Sequence, residues 1–184
     1  WFGTADGINR FDGYKMYHYR PIIGDTNSIG GISSNKFFED SKQRLWISHN
    51  NGISIYNRVN DCFMNLSLKH LRSHSGETYA TILGEDKKGR IWFSDFSDKL
   101  WAISIDNFKL VDSVLFLVKN HVNRYPRNIT IFDKYIIGTI YDSTTIWFSL
   151  NTETKKFTWF GKLPYNNASF TVLNDSLLVT YAQK

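Results

Sequence analysis

Asp40-Ser41-Lys42-Gln43-Arg44-Leu45-Trp46-Ile47-Ser48, followed by Asn51-Gly52-Ile53-Ser54-Ile55-Tyr56, is the stretch whose reading decides the fold. A polar, acidic turn leads into a short apolar run. A glycine turn then leads into a run that alternates apolar and polar residues. Alternation with a period of two marks a half-buried β-strand, and the β-branched and aromatic content agrees. The same pattern recurs along the chain. Trp1-Phe2-Gly3-Thr4 leads to Gly7-Ile8-Asn9-Arg10-Phe11-Asp12, and Ile91-Trp92-Phe93-Ser94 leads to Leu100-Trp101-Ala102-Ile103-Ser104-Ile105. Ile136-Ile137-Gly138-Thr139 leads to Ile146-Trp147-Phe148-Ser149-Leu150, and a fifth copy begins at Leu178. Equivalent positions fall at 1, 46, 92, 136 and 178. A period of about 40–45 residues containing only strands is the mark of a β-propeller, with one four-stranded blade per repeat.

The expected fold class is therefore all-β: a β-propeller with about four blades' worth of antiparallel four-stranded repeats. The strands of each blade are called a, b, c and d. Strand a is expected near 32–39, 78–85, 127–132 and 168–173, and strand b near 45–49, 91–95, 135–140 and 177–182. Strand c is expected near 7–11, 52–56, 100–105 and 145–150, and strand d near 14–19, 62–68, 109–116 and 156–160. The links 20–31, 69–77, 117–126 and 161–167 join one blade to the next and hold all three prolines. The blades are then 1–20 (partial), 31–68, 78–116, 127–160 and 168–184 (partial). The expectation for 1–184 as a whole is an incomplete piece of a larger propeller. Its open strand edges would be covered by remaining blades or another chain, because unpaired edges invite pairing.

Composition agrees with a globular domain. The chain has 184 residues, 42% hydrophobic and 21% charged, with a net charge of +5. The longest clean apolar run, Val114 to Val118, is far short of the ~20 residues of a membrane helix. Hence no membrane contact by this segment is expected. One cysteine, Cys62, permits no internal disulfide and no cysteine-based zinc site. The basic residues are spread over turns on both faces, so no nucleic acid partner is expected.

The quoted motifs resemble the two-component regulator propeller repeat. The copies at Trp1–Asp12 and Asp40–Tyr56 match best. The third copy departs where Asp95-Phe96-Ser97-Asp98-Lys99 replaces the usual small-Asn-Gly turn, and the fourth has Ile136 where the family has Trp. The resemblance implies the periplasmic sensor region of a hybrid two-component histidine kinase of the kind found in gut Bacteroidetes. Such proteins carry two propellers, an immunoglobulin-like domain, a membrane helix, a kinase and a DNA-binding output, and many sense oligosaccharides. An oligosaccharide ligand and a homodimeric parent protein are thus implied. Neither the kinase nor the DNA-binding part lies in this sequence.

The repeated residues read as structural. Trp1, Trp46 and Trp92 share one register of strand b. A ring of sugar-stacking aromatics is one reading; packing between neighbouring blades is the one that repetition favours, because every blade needs it. Gly7 and Gly52 suit a positive φ in the b–c turn. Asp40 and Asp86 are expected to satisfy the amides of their own turns and to hold no metal.

Binding is expected from what does not repeat. The b–c turns and the d–a links share one face. From the turns this face receives His49, Asn50, Asn51, Asp95, Phe96, Tyr141 and Asp142. From the links it receives Arg72, His74, Arg124, Tyr125, Arg127, Tyr165 and Asn166. Aromatic rings cover the C–H face of a sugar, and planar polar groups bond its hydroxyls. A plain polar loop surface is the alternative for any one of them. No catalytic residue, cofactor or metal is expected. The sequence has no His-Glu-x-x-His, Gly-x-Ser-x-Gly or phosphate-binding glycine loop. Asp95 and Asp142 form the one carboxylate pair worth testing for a glycosidase. A non-catalytic scaffold contacting only protein is the runner-up.

Overall fold

A computed structural model describes residues 1–68, 80–95, 99–115, 126–142, 144–163, 168–173 and 176–181. The described residues form seventeen strands in five antiparallel sheets. The first sheet has β1 (Phe2–Thr4), β2 (Gly7–Phe11) and β3 (Met16–Tyr19). The second has β4 (Ser34–Glu39), β5 (Leu45–His49), β6 (Gly52–Asn57) and β7 (Cys62–Asn65). The third has β8 (Ala80–Glu85), β9 (Arg90–Asp95), β10 (Lys99–Ser104) and β11 (Leu110–Leu115). The fourth has β12 (Pro126–Phe132), β13 (Tyr135–Asp142), β14 (Thr144–Asn151) and β15 (Phe157–Leu163), and the fifth has β16 (Ala168–Leu173) and β17 (Ser176–Tyr181). Each sheet is a simple meander in which consecutive strands pair. The fold is all-β, made of propeller-type blades, as the sequence pattern predicts.

The chain divides into two compact units. One comprises Trp1–Ile82, Phe93–Phe96 and Ile105–Phe108; the other comprises Leu83–Trp92, Ser97–Ser104 and Lys109–Lys184. In the first unit Ile8, Ile29, Leu45, Ile47, Tyr56 and Phe63 form a core, with Trp1, Tyr19 and Phe37 packed against it. In the second, Leu83, Trp92, Leu100, Ala102, Val114, Ile136, Phe148 and Leu150 do the same. Each such side chain, fully buried, contributes about 1.5–3 kcal/mol.

One polar device repeats in adjacent blades. Asp40 Oδ1 accepts from the Lys42 and Arg44 amides, and Oδ2 accepts from Arg44 Nε and Trp46 Nε1, both at 2.8 Å. Asp86 does the same with the Lys88 and Arg90 amides, Arg90 Nε and Trp92 Nε1. The acid of the a–b turn thereby fixes the tryptophan of strand b. Trp46 and Trp92 are fully buried. Their rings lie beside Phe108 and Lys155, residues of the following blade's c–d turn. Burial alone would raise the Asp86 carboxyl, but Arg90 and Trp92 outweigh it and hold it below the usual carboxylate range.

A second device joins blades. The c–d turn has a positive φ near its end, at Asp61 (50°), Phe108 (57°) and Lys155 (60°). Each reaches the aromatic cluster around the preceding blade's strand b. The Phe108 ring lies 5.9 Å from Trp46, and Lys155 Nζ lies 4.7 Å over Trp92. Asp61 accepts from Tyr19 Oη and Tyr56 Oη, both at 2.6 Å, beside the stacked Trp1–Tyr19 pair.

Candidate functional site

The face carrying the b–c turns and d–a links is best described over the first two blades. Gly7 and Gly52 open strand c with φ of 110° and 124°. The b–c turn needs that conformation, and glycine adopts it without a steric cost. A Cβ on Gly7 would run into the Tyr19 carbonyl oxygen.

The link between the two blades is a built structure. The Asp25 amide donates to the Ile22 carbonyl at 3.1 Å, Asn27 N to Asp25 Oδ1 at 2.8 Å, and Ile22 N to Ser28 Oγ at 2.9 Å. The last two are turn bonds supplied by the side chains of Asp and Ser. Ile29 then enters the core. Gly30 and Gly31 lie directly on His49. A Cβ on Gly31 would come within 2.5 Å of both Asn50 Oδ1 and His49 Nδ1.

His49 is the hub of this packing. Only 1% of it is exposed. Its Nδ1 accepts from the Asn51 amide at 3.1 Å, which places the ring proton on Nε2. Nε2–H then donates to Ser54 Oγ at 2.7 Å. Ser54 Oγ donates in turn to Asn65 Oδ1 at 2.5 Å and accepts from the Gly30 amide at 3.3 Å. Asn65 Nδ2 donates to the Ser28 carbonyl at 2.8 Å and to that of Thr26 at 3.3 Å. Burial pushes the imidazole down to about 4, so it is neutral over the ordinary pH range. This Ser–His contact is not a nucleophile–base pair. The nitrogen facing the hydroxyl already carries its proton, and the hydroxyl's own proton is aimed at Asn65.

The sequence-predicted residues therefore separate. His49 is expected on the binding face, yet its ring is closed to solvent and fastens the link to the turn. Strand β5 is buried throughout, His49 included, and the histidine follows it inward. Asn50 is half-buried; its Oδ1 accepts from the Ile32 amide at 3.1 Å. Asn51 is exposed, and its Nδ2 donates to the Gly30 carbonyl at 3.0 Å. Asp95 ends β9 with 9% exposure. Tyr141 and Asp142 end β13, in register with Thr145 and Thr144. Phe96, Arg72, His74, Arg124 and Tyr125 lie outside the described residues. What this face offers solvent around the first two blades is the exposed Arg20–Asp6 ion pair, the Asn51 amide, and Ile22, Ile23 and Ile32. Among the described residues no three His, Cys, Asp or Glu side chains gather as a metal site would require.

The sequence did not point to the Ser54–Asn65 node or to Arg20–Asp6. The Gly30-Gly31 doublet is the one signal that was available, since paired glycines in a link mark a close backbone approach.

No family model matches the chain, and no curated protein matches it. Solved structures do. The extracellular domain of BT4673 from B. thetaiotaomicron is described as a one component system in one structure and as a hybrid two component system in another. The first superposes with a TM-score of 0.72 at 19% identity, covering 98% of this chain and 26% of that one. The second gives 0.62 at 14% identity, covering 84% and 21%. The extracellular domain of BT3049 from the same organism, described as a hybrid two component system, gives 0.66 at 16% identity, covering 98% and 24%. The fold is that of these sensor domains. The likeness agrees with the repeat family that the sequence resembles, and the chain spans about a quarter of the length of the domains it matches. No helix of the described residues is long and apolar enough to cross a membrane.

Proposed function

We propose that this chain is part of the periplasmic, ligand-sensing propeller of a hybrid two-component histidine kinase. Its parent protein is a homodimer that recognises glycan fragments. The segment itself is non-catalytic. The observation that carries this reading is the likeness to extracellular sensor domains over 98% of the chain, joined to the repeat motifs of Trp1–Asp12 and Asp40–Tyr56. The loop face suits the task. A guanidinium, a carboxylate and an amide on a link fixed by buried hydrogen bonds present hydroxyl-bonding groups at little ordering cost. His49 serves by positioning that link; Arg72, His74, Asp95 and Phe96 are candidate contacts of the first unit, and Arg124, Tyr125, Tyr141 and Asp142 are candidate contacts of the second, each within its own unit. Binding signals only if the ligand has different affinities for two states of the receptor.

A thermal-shift screen of the sensor region against an oligosaccharide panel tests the reading. A ligand at about 100 times its Kd adds roughly 2.7 kcal/mol of stability. A panel that shifts nothing removes the glycan assignment. A protein-contact scaffold is the second reading, favoured by Ile22 and Ile23, which stand exposed at the tip of an otherwise fixed link. An Ile22→Ser, Ile23→Ser change that alters dimerisation and leaves ligand response intact supports it.

A further inference from the structure

The third blade breaks the repeat at Trp101. Counted back from the c–d turn residues Asn57, Asp106 and Asn151, the equivalent positions are Gly52 in the second blade and Ile146 in the fourth. A residue that serves the packing of every blade is repeated, so a large ring that occurs once has another use. Trp101 lies near the start of β10, next to the b–c turn and so to the loop face. The strand is part of the second unit, and its four-stranded sheet is complete.

One side of β10 is core: Leu100 and Ala102 are 0% exposed. Alternation places Lys99, Trp101 and Ile103 on the other side. Strand β11 sets Leu115, Ser113 and Leu110 directly opposite them. Opposed residues point the same way, so these side chains form one face. Ile103 is buried, whereas Lys99 and Ser113 are exposed and Leu115 and Leu110 are 40% and 46% exposed. The Trp101 ring is half-buried, and Lys99 Nζ lies 5.3 Å from its centroid. Trp101 Nε1 is closed to solvent, and among the described residues no acceptor reaches it. Buried donors in folded proteins are nearly always paired, so this one calls for an acceptor. Ser113 adds a hydroxyl that both donates and accepts.

We infer that Trp101, Lys99 and Ser113 form a subsite for a uronic acid residue of a glycan. The indole takes the C–H face of the sugar ring. The Lys99 ammonium turns from the indole to the sugar carboxylate in a charge-assisted hydrogen bond. A small turn of the half-buried ring presents Nε1 to an oxygen of the same sugar, and Ser113 bonds a hydroxyl. A neutral sugar forfeits the ammonium contact, which selects the acid. The inference rests on the glycan reading and adds to it a chemical class and a place.

Fluorine NMR of the full sensor region, labelled with fluorinated tryptophan, tests the subsite, with calorimetry in parallel. Trp101→Phe removes one resonance and so identifies it. The probes are oligogalacturonate and a hyaluronan tetrasaccharide, with galactotriose and cellotetraose as neutral counterparts. At least one uronate probe is expected to move the Trp101 resonance, and its affinity to fall about tenfold in Lys99→Gln, the loss of roughly one charged hydrogen bond. The neutral probes are expected to leave that resonance in place. Lys99→Gln keeps the ring, so it reads the charge even where Trp101→Phe disturbs packing. A uronate probe that gives heat but leaves the Trp101 resonance unmoved, or binds equally well to Lys99→Gln, overturns the inference while the glycan reading stands. So does a neutral probe that moves the resonance as far as its acidic counterpart. Heat absent for every probe, acidic and neutral, counts against the glycan reading as well.

Discussion

Gln43 and Gly89 occupy the same position of the a–b turn in adjacent blades, with φ of 61° and 67°. Glycine adopts that conformation freely, whereas a side chain there costs about 1–2 kcal/mol. Gln43→Gly is expected to stabilise the protein by up to about 1 kcal/mol in a thermal melt, part of the gain being lost to the flexibility of the unfolded chain. A lower melting temperature contradicts the assignment. The aspartate beside it makes the opposite prediction. Asp86→Ala leaves Arg90 Nε and the buried Trp92 Nε1 without their acceptor, while the guanidinium keeps Asp112, and is expected to cost about 1–3 kcal/mol, as leaving buried donors unsatisfied does. His49 gives a pH signature. Its folded-state value of about 4 lies below its ordinary 6.5, so the unfolded chain takes up the proton first as pH falls. The stability contributed by the neutral ring is complete above pH 6.5 and is lost progressively down to about 4, by about 3 kcal/mol. Denaturant titrations across that window are expected to show this slope in the wild type and a flatter one in His49→Gln. The bonds of Asp40 and Asp86 to their own turn amides were legible at this scale, because the spacing repeats in consecutive turns; those to Arg Nε and Trp Nε1 were not. The role of His49 was not. A turn histidine reads as a surface group until the Gly30-Gly31 backbone is seen lying on its ring.

At the scale of elements, strand positions followed from the period-two alternation and the Asp, Asn and Gly turns. Strand β7 ends at Asn65 rather than near 68, with the Leu66 amide still donating to the Ile53 carbonyl in the same register. The covering of Trp46 by Phe108 and of Trp92 by Lys155 was not legible. It joins residues one and a half repeats apart and depends on how one blade is offset from the next. The link between the first two blades shows how an element without regular structure becomes rigid. Its fixation runs through the close approach of Gly31 to His49 and Asn50. Gly31→Ala is expected to lift the link from this seat and to speed amide hydrogen exchange over residues 22–31, with little change in strands β13 and β14. Uniform loss of protection across both regions contradicts a local seat.

For the whole molecule, the number and kind of blades were readable from the 42–46-residue spacing of the equivalent positions. The cause is that each blade must bury the same faces against its neighbours. Function is not repeated, so it is carried by links and turns in which no periodicity guides the reading. The sensor assignment accordingly came from the resemblance of whole motifs, and the solved sensor domains agree with it in fold. The side chains expected on this face have different surroundings. Amides at Asn50 and Asn51 are spent partly on the backbone of the link, and the exposed Arg20–Asp6 pair stands beside them. The proposed role of this loop face is a contribution to glycan recognition. Isothermal titration calorimetry of the full sensor region with an oligosaccharide panel, for the wild type and for Asp6→Ala, Arg20→Ala, tests it most directly. Saturable heat is expected with at least one glycan, with affinity weakened about tenfold in the double variant, the loss of roughly one charged hydrogen bond. Heat that is absent for every glycan, or identical in the two proteins, contradicts it.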